Sequence, residues 1–299
     1  MFWSEGLAPF RGFETYYRIA GRLPESADQP APLVTLHGGP GATHGYLLSM
    51  ADLAASGRAV IFYDQLGNGR STHLPERGAD FWTVGLFREQ LNSLLEHLGI
   101  AGRYHLLGQS WGGFLAQEHA LEQPRGLRSL ILSNTAASFP AFVEEANRLR
   151  RDLPAEVEAT LRRHEEAGTT DDPEYEASCQ VFYLRHLCRL EPWPDEVTSS
   201  FAWIAKDPTV YHTMNGPSEF HVIGSIRDWE AASRLSGIRV PTLLLSGRHD
   251  EATPALQETL LKGIVGSRHV LFEASSHMPF WEERPAYMEV VGNWLREFD

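Results

Sequence analysis

The chain has 299 residues, 42% of them hydrophobic and 22% charged, which is enough apolar material for a large core and excludes global disorder. Thirty-nine Asp and Glu stand against 26 Lys and Arg, and the resulting net charge of −13 argues against a nucleic-acid or anionic-membrane surface as partner. The first residues, MFWSEGLAPF, show no basic-then-apolar leader, and no apolar run approaches the roughly 20 residues of a membrane span. Only Cys179 and Cys188 are present. On one helix they would stand roughly 13.5 Å apart along its axis, too far for a disulfide, so a reducing, cytoplasmic setting is expected.

In chain order, GFETYYRIA at 12–20 reads as an antiparallel edge strand. LVTL at 33–36 and AVIFY at 59–63 are short, branched apolar runs of the kind found in buried strands. Leu86, Phe87, Leu91, Leu94, Leu95 and Leu98 keep helical spacing, with Gly99 placed to end the helix. Further strands follow at 104–107 (YHLL) and 130–132 (LIL), with a helical stretch at 114–123 between them. After about residue 136 the strand runs vanish. Charged helical patterns at 142–151, 155–166 and 174–190 replace them, punctuated by Pro154, Pro173, Pro192, Pro194, Pro208 and Pro217. Strand signals resume at Val240-Pro241 and continue as TLLL at 242–245 and HVLF at 269–272. The expected architecture is an α/β fold with a mostly parallel, doubly wound sheet. Its core would comprise residues 1–136 and 237–299, with 137–236 inserted as a helical cap, because a structureless loop of that length would be unusual.

GQSWG at 108–112 is a G-x-S-x-G pentapeptide between a strand run and a helical stretch, the context of a nucleophile elbow. The plain alternative is a glycine-rich connection carrying an ordinary serine. A serine hydroxyl needs an adjacent base held by a third group. Asp250 follows TLLLSGRH and His277 lies just past HVLF, both beyond the ends of predicted parallel strands and in the order Ser, Asp, His. His249 is a competitor, but it precedes the acid on the same strand end. Asp64 precedes the nucleophile and suits a structural turn. For the oxyanion, backbone N–H donors are expected from Trp111 and from Gly39 in HGGPG at 37–41. GNGRS at 67–71 lacks both a dinucleotide fingerprint and a Walker lysine, and no zinc-type His/Cys pattern occurs. No metal and no cofactor are expected. A serine at the elbow also argues against dehalogenase or epoxide-hydrolase chemistry, which would use a carboxylate there.

HGGPG at 37–41, DQLGNGRS at 64–71 and GQSWGG at 108–113 together resemble the prolyl aminopeptidase (proline iminopeptidase) family of α/β-hydrolases. MNGPSEF at 214–220 and HDEATP at 249–254 are similar to its tricorn-associated aminopeptidase branch and related amino-acid amidases. The resemblance implies the α/β-hydrolase fold and a serine exopeptidase acting on a small peptide or amino-acid amide with a free amine. It also implies that Glu219 and Glu251 bind that amine; the plain alternatives are a solvated loop acid and a helix-cap acid. Tyr211 and Phe220 flank the motif and are candidates for an apolar substrate pocket, although most aromatics of 137–236 must simply pack. The alternatives are an amidase or esterase on the same scaffold and, more remotely, a non-catalytic ligand-binding protein of hydrolase fold. Oligomeric state has no signature in this sequence.

Overall fold

The computed structural model describes all residues, Met1–Asp299. Eight strands form one sheet: β1 (Trp3–Phe10), β2 (Phe13–Ala20), β3 (Leu33–Leu36), β4 (Val60–Tyr63), β5 (Tyr104–Gln109), β6 (Leu127–Ser133), β7 (Thr242–Gly247) and β8 (Arg268–Phe272). Their order is β1-β2-β4-β3-β5-β6-β7-β8. From β4 through β8 every neighbouring pair is parallel, while β1–β2 and β2–β4 are antiparallel. The segment expected at the edge is therefore internal: β2 pairs with β1 on one side and with β4 on the other. The turn residues Arg11 and Gly12 both have positive φ (49° and 83°), as a two-residue hairpin of type I′ demands. β1 escapes a pattern search because Glu5, Gly6 and Pro9 interrupt its apolar positions and much of it faces solvent.

The crossovers place helices on both faces. α1 (Val84–His97), α2 (Trp111–Leu121) and α8 (Pro254–Gly263) share one apolar cluster with the sheet, centred on residues such as Phe87, Leu91, Leu115 and Leu260. The 3-10 segment His44–Ser56, α9 (Pro279–Glu282) and α10 (Arg284–Glu297) share the cluster on the opposite face. α1 illustrates the local logic. Thr83 accepts from the Leu86 N–H at its start, Gly99 takes φ 67° beyond its end, and Leu86, Phe87, Leu91, Leu94 and Leu95 are buried. Each such side chain contributes about 2 kcal/mol of burial before chain entropy is charged.

Between β6 and β7 the chain forms α3 (Phe139–Arg150), α4 (Ala155–Ala167), α5 (Pro173–His186), α6 (Asp195–Lys206) and α7 (Thr209–Met214), with no strand among them. Ser138 and Asp172 cap α3 and α5, and Gly168 ends α4 at φ 67°. α5 stops at His186, short of the expected 190. Leu187 and Cys188 both donate to the Tyr183 carbonyl, which closes the helix, so Cys188 lies outside it. Both cysteines are buried free thiols. α6 is tied to the core through Ser200, whose hydroxyl meets Thr43 Oγ1 at 2.9 Å and accepts from the Tyr46 N–H at 3.1 Å. No helix is long and apolar enough to cross a membrane.

Candidate active site

Ser110 sits between β5 and α2 with φ 56° and ψ −126°, a backbone state that is costly for any residue with a side chain. The surroundings fix it. Its N–H donates to Ser133 O at 3.1 Å, and its carbonyl accepts from Gly113 N at 2.7 Å and Thr135 Oγ1 at 2.9 Å. Strand and helix approach so closely that a Cβ on Gly112 would fall 2.1 Å from the Leu36 carbonyl oxygen. Likewise, a Cβ on Gly38 would fall 2.9 Å from Ser110 Cβ.

His277 and Asp250 come from the segments after β8 and β7 and are almost wholly buried. His277 Nδ1 donates to Asp250 Oδ1 at 2.6 Å. The same oxygen accepts the Ala252 N–H at 2.9 Å, and Asn134 Nδ2 donates to Asp250 Oδ2 at 2.6 Å. Asn134 follows β6 and holds φ 53°, a left-handed state that Asn tolerates better than most residues. Its other bond, to the Ser276 carbonyl at 3.2 Å, ties it to the residue before His277. Sequence reasoning missed Asn134; the available signal was an Asn directly after a strand of the parallel sheet. Burial opposes a charge on His277, but Asp250, Glu251 and Glu219 outweigh it and raise the imidazole to about 9.

The HGGPG loop is anchored from behind. His37 is neutral, lowered by burial to about 4, which lets Nδ1 donate to Gly38 O at 3.0 Å while Nε2 accepts from Gln65 N at 2.9 Å. Gly38 N donates to the Tyr46 hydroxyl at 2.6 Å, Tyr46 donates to Gln109 Oε1, and Gln109 Nε2 donates to the His277 carbonyl at 3.2 Å. A continuous polar chain thus joins the loop to the imidazole segment. Gly39 faces the cavity beside Ser110. The Trp111 N–H is the first of α2 and so has no acceptor within the helix, while its indole points away to Gln65 Oε1 at 2.9 Å.

These groups border a narrow, partly open cavity with about 400 Å³ of empty space, adjoining solvent included. Ser110, His277, Glu219 and Glu251 are among its polar lining, and Leu187, Phe201, Ile204 and Met278 supply apolar wall. A second recess of about 250 Å³ shares Ser110, Gly39 and Glu219 and is walled by Phe114, Phe139 and Phe142. Glu219 lies on a tight turn in which Ser218 bridges His221, and Tyr211 donates to its Oε1 at 2.6 Å. Glu251 is completely buried, with neither carboxylate oxygen hydrogen-bonded. Burial raises both carboxyls, Glu251 well above the usual range. The neighbouring His277 opposes the rise at both, as does the Tyr211 hydroxyl at Glu219.

Tyr211 meets the site through Glu219 rather than through the cavity wall. Phe220 does not line the cavity at all. The turn that aims Glu219 inward sends Phe220 against Phe182, ring centroids 4.9 Å apart, with the Arg150 guanidinium 4.6 Å over its face. His249 lies outside the cavity lining; its N–H donates to Ser275 O and its carbonyl accepts from His186 Nδ1. Asp64 is a buried turn residue that accepts from the His44 and Arg70 N–H groups and from the His44 ring. Away from the site, His164, Asp172 and Glu174 bring potential metal-ligating atoms within 4.8 Å of one another. There Arg163 already occupies Glu174, and Asp172 caps α5.

The profile of the alpha/beta hydrolase fold matches residues 31–284. Proline iminopeptidase of Saccharolobus solfataricus is 41% identical over 98% of this chain and 92% of its own length. That of Lactobacillus helveticus is 39% identical over 99% and 98%. Among solved structures, VinJ superposes with a TM-score of 0.96 at 50% identity, covering 99% of each chain. Proline iminopeptidase of Mycobacterium smegmatis does so with a TM-score of 0.90 at 45% identity, covering 99% of this chain and 98% of its own. With the eight-stranded sheet and near full-length matches agreeing, this chain belongs to the α/β-hydrolase fold and, within it, to the proline iminopeptidase family.

Proposed function

We propose that the protein is a serine exopeptidase that releases an N-terminal residue, proline or a small apolar one, from a peptide or amide with a free amine. The observation that carries this reading is the pair of buried carboxylates, Glu219 and Glu251, bordering the same cavity as Ser110 and His277. An N-terminal proline presents a secondary ammonium with two N–H donors, which two carboxylates can accept. At an effective dielectric near 20, a charge pair at 4 Å interacts by about 4 kcal/mol before desolvation. The small cavity favours a short acyl group, and full-length relatives named proline iminopeptidase support the reading.

In this mechanism Ser110 Oγ attacks the first carbonyl and passes its proton to His277 Nε2, while Asp250 holds the imidazole through Nδ1. The Gly39 and Trp111 N–H groups stabilise the oxyanion. His277 then protonates the leaving amine, and water hydrolyses the acyl-enzyme to free amino acid. Residues 137–236 act as a cap, a role supported by the contribution of Leu187, Phe201, Ile204 and Glu219 to the cavity. The buried free thiols Cys179 and Cys188 support a reducing, cytoplasmic setting.

Kinetics on prolyl p-nitroanilide and its N-acetyl counterpart test the reading. The free-amine substrate is expected to have a kcat/KM at least about 100-fold higher. Glu219→Gln and Glu251→Gln should each cost it roughly tenfold or more. Equal turnover of free and blocked substrates would remove the amine requirement.

A further inference from the structure

Glu251 Oε1 lies 3.6 Å from His277 Nε2, the nitrogen that has to accept the Ser110 proton because Nδ1 is engaged by Asp250 at 2.6 Å. Glu251 has no hydrogen bond on either oxygen and no exposure to solvent, so the His277 imidazole in ion-pair contact compensates its charge. Asp250 from the segment after β7 and Glu219 from the segment before it also act on the imidazole. Tyr211 bonds Glu219, Tyr183 of α5 and Tyr46 are within electrostatic reach of Glu219, Tyr183 also of Glu251, and His186 at the end of α5 is within reach of Asp250. Three carboxyls therefore surround one imidazole. Burial opposes the His277 charge, yet the carboxyls raise it to about 9, and burial raises Glu251 as well. Together they hold a proton that exposed groups would release near neutrality. When the imidazole carries it, the Nε2 lone pair is occupied, with Glu251 Oε1 at 3.6 Å as its counter-charge.

We propose that Glu251 latches His277 in the unliganded protein, and that the substrate's ammonium releases the latch by pairing with the Glu251 carboxylate. This rests on the amine-binding reading above and extends it from binding to chemistry. One positive charge enters, and the shared proton leaves to solvent, because a cation beside the carboxylates lowers the proton affinity of the imidazole. Nε2 can then take the Ser110 proton as the Oγ–C bond forms and deliver it to the leaving nitrogen as the C–N bond breaks. When the free amino acid departs, a proton returns and the latch closes. A compound with a reactive carbonyl but no amine meets a base that is mostly unavailable. With an imidazole near 9, about one molecule in a hundred is competent at pH 7.

Pyrrolidine, a secondary ammonium without a carbonyl, separates the two layers of the argument. Calorimetric titration of the full chain near neutral pH, in two buffers of different ionisation enthalpy, is expected to show about one proton released per pyrrolidinium bound. Binding without proton release overturns the latch and leaves the amine site standing; no binding overturns both. In the NMR titration of the wild-type His277 ring, saturating pyrrolidine is expected to move the midpoint from about 9 to near or below neutrality. An unchanged midpoint overturns the proposal without reliance on any variant. In Glu251→Gln, Ser110 acylation by p-nitrophenyl acetate, an ester without an amine, should be about tenfold or more faster at pH 7 than in wild type, with its pH profile moved to the acidic side. Coincident profiles would likewise overturn it.

Discussion

Asp250 is held by donors on both oxygens, and the two sides of its carboxylate have different origins. Oδ1 accepts from His277 and from the Ala252 N–H two residues along, whereas Oδ2 depends on the Asn134 side chain alone. Asn134 is therefore a positioning residue for the imidazole. Asn134→Gly removes the side chain while keeping a residue at ease at φ 53°. A hydrogen bond to a charged group contributes about 1.5–3 kcal/mol, so kcat is expected to fall roughly ten- to a hundredfold with KM little changed. Steady-state kinetics on a prolyl amide check this, and a fall confined to KM would contradict the positioning role. Ser110, Asp250 and His277, proposed as nucleophile, acid and base, could be placed together from spacing and strand ends, because each follows an apolar run that only a buried strand explains. Asn134 could not be, since an Asn directly after a strand marks a carboxylate anchor and an ordinary turn residue alike.

Among the elements, the β5–Ser110–α2 turn is tightly fitted against β3. Its tolerance is set by backbone, which cannot rotate away from a new side chain. Gly112→Ala would put Cβ 2.1 Å from the Leu36 carbonyl oxygen, and the forced shift of β3 or α2 should cost about 2–3 kcal/mol. Gly102→Ala, whose Cβ would meet nothing within 4 Å, is the control and should stay within about 0.5 kcal/mol. Chemical denaturation of the two variants measures the difference. Legibility at this scale followed burial on both faces. The six parallel strands read clearly because nearly every position in most of them is apolar, as in LVTL and TLLL. β1 did not, because one edge is unpaired and its apolar alternation is broken. The end of α5 was overrun by four residues. The sequence continues in helical spacing through Leu190, while the fold needs Leu187 at the cavity and so turns the chain out of the helix after His186.

For the whole molecule, the buried carboxyl and imidazole cluster gives a signed pH dependence. His277 is raised above its ordinary 6.5 to about 9, so its contribution to stability is complete below 6.5 and is lost as pH rises through about 9. Glu251 is raised above 4.5, so the folded protein again holds protons that the unfolded chain has released, and stability falls with rising pH. Both effects run the same way between weakly acidic and alkaline pH. The Tm is expected to decline from about pH 6 to about pH 9.5, and to decline less in Glu251→Gln, which should be the more stable protein at the alkaline end. Thermal unfolding of the two proteins across that range decides it; a steeper decline in the variant would reverse the assignment.

The order of the site along the chain has a further consequence, for the time before folding is complete. Ser110 is set by β5 and α2, Glu219 comes from the segment before β7, and Asp250, Glu251 and His277 follow β7 and β8. During synthesis from the N-terminus, the strained serine is made long before His277, its proposed base. A ribosome-bound chain that has emerged only as far as β6 carries Ser110, Gly39 and Trp111, proposed as nucleophile and oxyanion donors, but not His277. Under the proposed roles, hydrolytic competence arrives only with the last strands, when β7 and β8 have joined the sheet and the chain is nearly finished. On the proposed mechanism, a half-made chain would stay inert toward other nascent peptides until the segments after β7 and β8 take their places.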